Sequence, residues 1–147
     1  VNVSYNRDPK QLGYFLALDK VHQAIVLAVS GTYSCREILI DCNGYARDFL
    51  GHANGAHSHI SIMAERLWEE VGDQIVELLQ QHDGYELIVA GHSLGGGVTC
   101  LLNLLLHQDA RMIQKKFRAF AYASPPVLSA DFIQALTHEQ RQTCVNV

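Results

Sequence analysis

The sequence predicts an α/β fold, in which helices flank a largely parallel β-sheet. Residues 24–29 (AIVLAV) are a continuous apolar run, as expected for a strand that is covered on both faces. Residues 60–81 instead place apolar side chains at helical spacing. Residues 87–90 (LIVA) are a second buried-type strand, and they lead into another helical stretch. Strands that alternate with helices in this way are typical of parallel sheets.

The other elements follow from the same two periodicities. Residues 12–18 predict a strand that a turn at Asp19-Lys20 joins to the strand over 24–29. Residues 30–56 are polar and contain glycine, so they predict a long connection with one short apolar patch. Further along the chain we expect a helix over 94–107, a strand over 117–123, a short helix over 129–136 and the beginning of a last strand over 143–147.

Length and charge limit the classes of protein to which the chain can belong. With 147 residues, of which 48% are hydrophobic, it can bury one sizeable core and is most simply one domain. Its 11 lysines and arginines against 15 acidic residues predict no nucleic-acid partner. No apolar run approaches the roughly 20 residues of a membrane span.

The first residues and the cysteines bear on the extent of the chain and on its cellular location. Residues 1–4 (VNVS) show neither a methionine start nor a signal peptide, so we expect an excised piece of a longer protein. The four cysteines have no C-x-x-C spacing, and Cys100 falls in an apolar helix as a small core residue. We therefore expect reduced thiols, and an intracellular or membrane-associated protein rather than a secreted one.

Residues 91–95 (GHSLG) carry the pattern G-x-S-x-G between a predicted strand and a predicted helix. In that context Ser93 occupies a tight strand-to-helix turn, and Gly91 and Gly95 remove the clashes that side chains would cause there. The serine hydroxyl then stands at a helix N-terminus, where free N–H groups can stabilise a developing oxyanion. The pattern predicts that Ser93 is the nucleophile of a serine hydrolase.

Such a nucleophile needs a histidine as its base and a carboxylate that orients this histidine, in the chain order Ser, Asp or Glu, His. His107 and Asp109 are excluded, because they lie about 20 Å along the helix from the serine at roughly 1.5 Å per residue. Asp131 and His138 have only the right order in the chain, and we interpret them as a helix-cap carboxylate and a surface histidine. We therefore assign neither base nor acid within this chain.

Three further histidines have other interpretations. In the geometry of such a turn the side chain of His92 points away from Ser93, so we expect it to be packed and hydrogen-bonded rather than to act as the base. His57 and His59 suggest a metal site, but no further ligand with suitable spacing accompanies them. We expect no metal and no other cofactor.

Five motifs in fixed order resemble those of the class 3 lipase family within the α/β-hydrolase superfamily, and most closely those of its sn-1-specific diacylglycerol lipase-like branch. The motifs are residues 30–32 (SGT), 39–41 (LID), 55–59 (GAHSH), 91–97 (GHSLGGG) and 120–126 (FAYASPP). The last two make the resemblance specific, and the set spans most of the chain. The resemblance implies an α/β-hydrolase-type sheet that is mostly parallel.

The resemblance also implies the parts of the site that surround the nucleophile. Two backbone N–H groups, those of Leu94 and Thr32, are expected to form the oxyanion hole, and the Thr32 hydroxyl can point at the same oxygen. Asp41 is expected to brace the oxyanion loop. The family's catalytic Asp and His follow the last strand, and the sequence stops where that Asp is expected. We therefore interpret residues 1–147 as one class 3 lipase-like domain whose C-terminal part is missing.

These observations leave two functions open. The first is a serine lipase or esterase that hydrolyses acylglycerol ester bonds through an acyl-Ser93 intermediate. Its substrate is a diacylglycerol, a triacylglycerol or the sn-1 ester of a phospholipid, met at a peripheral membrane surface. The second is a catalytically inactive lipase-like module that binds lipid or a protein partner, and Ser30 in place of the family's Arg and His59 in place of its Gly support it. The intact turn favours the enzyme, because a serine in a strained conformation has little purpose without chemistry.

Overall fold

The computed structural model describes residues 12–31 and 45–147, and it describes residues 3–6 through their backbone. The strands are β1 (Val3–Asn6), β2 (Tyr14–Asp19), β3 (Ala24–Val29), β4 (Ala46–Phe49), β5 (His52–His57), β6 (Glu86–His92), β7 (Phe117–Tyr122) and β8 (Cys144–Asn146). The helices are α1 (Ser58–Gln81), α2 (Leu94–Gln108), α3 (Ala130–Ala135) and α4 (His138–Gln142), and a 3-10 turn spans Ala110–Met112.

Six of these strands form one mixed sheet in the order β1-β2-β3-β6-β7-β8. β2 pairs antiparallel with both β1 and β3, whereas β3, β6, β7 and β8 run parallel to one another. β4 and β5 form a separate antiparallel pair. The predicted α/β fold with a mostly parallel sheet is confirmed.

The two long helices pack on one face of the sheet and against each other. The connections that contain α1 and α2 advance in the same direction along the sheet, so right-handed crossovers place both helices on the same face. No helix in the described segments has the length and apolarity needed to cross a bilayer. Buried side chains of this face come from both layers, among them Ile25, Leu27, Leu87, Val89, Val71, Ile75, Val98 and Leu101.

The opposite face of the sheet is only partly covered by the described residues. In β3 the side chains of Ile25 and Leu27 are buried, whereas Val26 and Ala28 on the other face are half-buried. Phe15 of β2 pairs with Ala28 across the strands and is 42% exposed. The expectation that β3 is covered on both faces is therefore wrong for the part of the chain that the structure describes, because α1 and α2 share one face.

Four of the described strands and α-helices were not predicted: β1, β4, β5 and α4. β1 precedes the first predicted strand, and β4 and β5 lie inside the predicted connection over 30–56. The sequences of β4 (ARDF) and β5 (HANGAH) contain no run of β-branched or apolar residues, so periodicity does not mark them. α4 did carry a signal: the Thr137 hydroxyl accepts from the Gln140 N–H and the Gln140 side chain accepts from the Thr137 N–H, which is a capping box.

A polar cluster fastens the C-terminal end of α2 to α1. Trp68 Nε1 of α1 donates a hydrogen bond of 2.8 Å to Asp109 Oδ2, and Arg111 donates to the same carboxylate from its side chain and its backbone N–H. The Arg111 guanidinium also lies 5.6 Å from the centroid of the Trp68 ring. The side-chain hydrogen bonds from Arg111, with smaller contributions from its backbone and from Trp68, hold the pKa of Asp109 well below its usual range.

We expect Asp109→Asn to lower the free energy of unfolding by about 1–3 kcal/mol at neutral pH, because the neutral amide cannot replace the charge-assisted hydrogen bonds. A carboxylate whose pKa falls on folding contributes stability above its unfolded pKa, and this stability is lost as the pH falls through the folded pKa. The difference in stability between the wild type and the variant should therefore begin to shrink below about pH 4, the unfolded pKa of an aspartate, and should close only as the pH approaches the lower folded pKa. Urea unfolding over a pH series measures this, with Asp83→Asn at an exposed turn position as the control. If the difference in unfolding free energy between the wild type and Asp109→Asn stayed constant with pH, the ionised Asp109 carboxylate would not be the source of the stabilisation.

Candidate active site

Ser93 lies at a sharp turn between β6 and α2, at the edge of the sheet where the parallel strands end. Its backbone has φ 57° and ψ −120°, a combination that residues other than glycine rarely adopt. Two hydrogen bonds hold this conformation: the Ser93 N–H donates to the Tyr122 carbonyl of β7 (2.9 Å), and the Gly97 N–H donates to the Ser93 carbonyl (3.0 Å). The side chain is only partly buried, so the hydroxyl can be reached by solvent.

Gly91 and Gly95 make the turn sterically possible. A Cβ atom at Gly91 would lie 2.2 Å from the Gly95 carbonyl oxygen and 2.7 Å from Thr99 Oγ1. A Cβ atom at Gly95 would lie 2.4 Å from the Val29 carbonyl oxygen at the end of β3. Real Cβ atoms do not approach backbone oxygens this closely, so α2 can begin against the ends of β3 and β6 only with glycine at both positions.

A third close contact brings the loop after β3 to Ser93. The Cβ position at Gly31 lies 3.0 Å from the His92 carbonyl oxygen and 3.8 Å from Ser93 Cβ. The next residue in the chain is Thr32, which lies outside the described residues, as does Asp41. The described part of the loop therefore ends beside Ser93, and the role of Thr32 in the oxyanion hole stays a prediction.

Leu94 is the first residue of α2 and buries its side chain. The first hydrogen bond of the helix runs from Gly97 to Ser93, so the Leu94 N–H has no partner within the helix. The N-terminal end of a helix carries a partial positive charge, which favours a negative oxygen at this position. The geometry is suited to the predicted oxyanion donor at Leu94.

The residues considered above as a base or an acid for Ser93 either make other contacts or lie on other helices. At the far end of α2, His107 Nε2 is 2.8 Å from Thr143 Oγ1, and Asp109 belongs to the cluster with Trp68 and Arg111. Asp131 is exposed in the first turn of α3, but the helix cap is Ser129, so the interpretation of Asp131 as a capping residue is wrong. His138 is the exposed first residue of α4, as expected of a surface histidine. None of these contacts connects an acid to a base beside Ser93 in the described structure.

The environment of His92, directly before Ser93, differs from the expectation. His92 is exposed, and no hydrogen bond of its ring is found among the described residues, so the expectation of a packed, hydrogen-bonded side chain is wrong. The reason is strand alternation: Gly91 faces the helices, and His92 therefore points to the opposite, partly covered face.

The two histidines that suggested a metal site lie at the start of α1. His57 buries Nδ1 without a hydrogen-bond partner, and His59 is exposed. Within the described segments no three His, Cys, Asp or Glu side chains are grouped as metal ligands.

Sequence reasoning missed the part that β7 plays in the turn. The Tyr122 carbonyl accepts the Ser93 N–H, and the same carbonyl oxygen would lie 2.9 Å from a Cβ atom at Gly96. Ala123, directly after β7, also has a positive φ, 47°. The only signal for this contact was the position of the FAYASPP motif, since a hydrogen bond to a carbonyl does not depend on side-chain identity.

We expect Gly91→Ala to lower the free energy of unfolding by at least about 3 kcal/mol, because the methyl group would overlap the Gly95 carbonyl and neither backbone segment can move without breaking the packing of α2. Gly84→Ala is the matched control: Gly84 has φ 81° and open space around its Cβ position, so only backbone strain of about 1–2 kcal/mol is expected there. Urea unfolding of both variants compares the two costs. A loss for Gly91→Ala no larger than that for Gly84→Ala would contradict the steric argument.

Comparisons with known proteins agree with the motifs. The sequence model of the family described as Lipase (class 3) matches residues 26–147. The chain is 32% identical over 127 residues to the secreted mono- and diacylglycerol lipase A of Penicillium cyclopium, a match that covers 84% of this chain and 40% of that protein. It is 25% identical over 153 residues to the diacylglycerol lipase-beta of Mus musculus, which covers 92% of this chain and 22% of that protein. The chain thus spans less than half the length of these relatives.

The fold is also found among solved structures. Lipase II from Rhizopus niveus superposes with a TM-score of 0.79 at 20% identity, over 99% of this chain and 56% of that one. This likeness shows that the sheet and its helices have the α/β-hydrolase arrangement. Because the family model matches most of the chain, including the Ser93 turn, the chain belongs to the class 3 lipase family.

Proposed function

We propose that this chain carries the nucleophile and the oxyanion donors of a serine lipase that hydrolyses acylglycerol ester bonds. The observation that supports this most directly is the conformation of Ser93, with φ 57° and ψ −120°, at the N-terminus of α2. A strained backbone at a partly exposed serine is costly for folding, and such strain is concentrated at functional sites. The Leu94 N–H, which has no partner within the helix, is the neighbouring donor that our proposal assigns to the oxyanion.

The proposed reaction begins when Ser93 Oγ attacks the carbonyl carbon of the substrate ester and gives its proton to a general base. The carbonyl oxygen becomes an oxyanion, which accepts hydrogen bonds from the Leu94 N–H and, in our proposal, from Thr32. Collapse of this intermediate releases the glycerol hydroxyl and leaves an acyl-Ser93 ester. Water then attacks the acyl-enzyme by the same route and releases the fatty acid.

The general base and its carboxylate are not assigned within this chain. The family resemblance implies that both follow the last parallel strand, and in the described sheet this strand is β8 (Cys144–Asn146). Asp131 and His138 lie on α3 and α4, before β8, and do not match that order. We therefore propose neither residue as the base or as its carboxylate.

The proposed substrate class is an acylglycerol. The support comes from relatives whose names state it: one is a mono- and diacylglycerol lipase, and another is a diacylglycerol lipase. A substrate of this kind lies in a lipid surface, so we place the reaction at a peripheral membrane or emulsion interface. Both relatives are matched over less than half of their length, so we propose the acylglycerol class and not one acylglycerol.

We expect Ser93→Ala to reduce turnover of the full protein on a diacylglycerol emulsion by about 10⁴-fold or more, because the variant has no nucleophile. Ser61→Ala is a matched control: this buried hydroxyl donates to the Ser58 carbonyl within α1, and its removal should leave turnover within a few fold. The assay is fatty-acid release by titration. A full protein without serine-dependent turnover would instead favour a lipase-like module that binds lipid without hydrolysing it.

We expect Thr32→Val to lower kcat by about 10²–10³-fold with little change in KM, if the hydroxyl donates to the oxyanion only in the transition state. Thr32→Ser keeps the hydroxyl and should retain most of the activity. Steady-state kinetics on a short-chain ester separate the two parameters. Equal activity of Thr32→Val and the wild type would show that the Thr32 hydroxyl takes no part in the mechanism. Backbone N–H groups would then be the only oxyanion donors in the proposal.

A further inference from the structure

Two cysteines far apart in the sequence meet beside the active-site helix. Cys100 lies in the second turn of α2, seven residues after Ser93, and Cys144 is the first residue of β8. Their sulfur atoms are 4.0 Å apart, and the Cys144 S–H donates to Cys100 Sγ. Both side chains are half-buried, so neither sulfur is sealed inside the core.

The surroundings of the pair make the two thiols unequal. The hydrogen bond from Cys144 stabilises a thiolate at Cys100 and, with a further contact of 3.7 Å to Ser124 Oγ, lowers the pKa of Cys100 to about 7 despite its partial burial. The same hydrogen bond raises the pKa of Cys144, so Cys144 remains a thiol. The hydrogen bond from Cys144 thus favours the thiolate, which is the nucleophilic form, at Cys100.

The two sulfurs are already close to bonding distance. A disulfide has an S–S length of about 2.05 Å, so the two sulfurs must approach by about 2 Å from their separation of 4.0 Å. The pair has no other evident chemistry, since the described residues show no group of three or more metal-ligating side chains. The expectation that Cys100 is simply a small core residue does not account for its contact with Cys144.

We propose that Cys100 and Cys144 are an oxidisable dithiol that closes to an intramolecular disulfide when the protein meets a peroxide. The Cys100 thiolate attacks one oxygen of hydrogen peroxide, the O–O bond breaks, and Cys100 sulfenic acid and hydroxide form. Cys144 sulfur then attacks the sulfenic sulfur, the S–O bond breaks, and the leaving oxygen departs as water with the Cys144 proton. The hydroxide from the first step takes the proton that Cys100 released on ionising, so overall two thiols are oxidised to one disulfide and one peroxide is reduced to two waters.

The disulfide would add a covalent link where α2 already contacts the end of the chain through the hydrogen bond between His107 and Thr143. It would fasten β8, at the end of the described sheet, to the helix that follows Ser93. The bond would close a loop between residues 44 positions apart, a separation at which a cross-link restricts the unfolded chain strongly. This inference does not depend on the proposed lipase activity, because it concerns thiol chemistry alone.

The test is peptide mapping of the full folded protein after treatment with hydrogen peroxide, with free thiols then blocked and digestion by trypsin under non-reducing conditions. Cys100 is contained in the tryptic peptide 67–111, and Cys144 in the peptide that begins at Gln142. The expected result is a covalent pair of these two peptides that dithiothreitol separates, together with a loss of two titratable thiols per chain. Cys100→Ser and Cys144→Ser should each abolish the linked pair.

The double variant Cys35→Ser, Cys42→Ser is the matched control, because it removes the other two cysteines of this sequence and should leave the linked pair unchanged. Two results would overturn the proposal. One is recovery of Cys100 as sulfinic or sulfonic acid while Cys144 remains a free thiol. The other is a link from Cys100 to Cys35 or Cys42 in the wild type with none to Cys144. Both can be read from the wild-type digest, so the proposal remains testable if a serine variant folds poorly.

Discussion

The close approach of α2 to the ends of β3 and β6 is the contact on which the rest of the site depends. A Cβ atom at Gly91 or Gly95 would lie 2.2–2.4 Å from a backbone oxygen of the opposing segment. Without side chains at these positions the helix can start at the sheet itself, with no intervening loop. This places the free N–H groups of the first turn, and hence its positive end, directly beside the Ser93 hydroxyl.

The packing of the whole sheet maintains the strained backbone conformation of this turn. Ser93 is held by the Tyr122 carbonyl of β7 on one side and by the first turn of α2 on the other. α2 in turn is fixed by its buried face, which packs against α1 and the sheet, and by the Asp109 cluster at its far end. The apolar core therefore contributes more than stability: it keeps a serine in a conformation that an isolated peptide would not adopt.

The strands and helices that were predicted have a clear pattern of apolar residues in their own sequence, and those that were missed do not. The prediction of α1 from the spacing of its apolar residues agrees with the structure, and so does that of β6 from a short apolar run. β4 and β5 depend on pairing with each other, and their residues have no pattern that marks strands. The burial of β3 was overestimated, because an apolar run does not reveal that both crossover helices lie on one face.

The sequence by itself determined the turn at Ser93, the glycines around it and the alternation of most strands and helices, because these depend on residues that are neighbours in the chain. Only the tertiary structure decided which distant segments meet at the turn: Gly31 against Ser93, and the Tyr122 carbonyl on the Ser93 N–H. It likewise decided that Cys100 faces Cys144. Such contacts depend on strand order and register, which bring together groups that no local spacing relates.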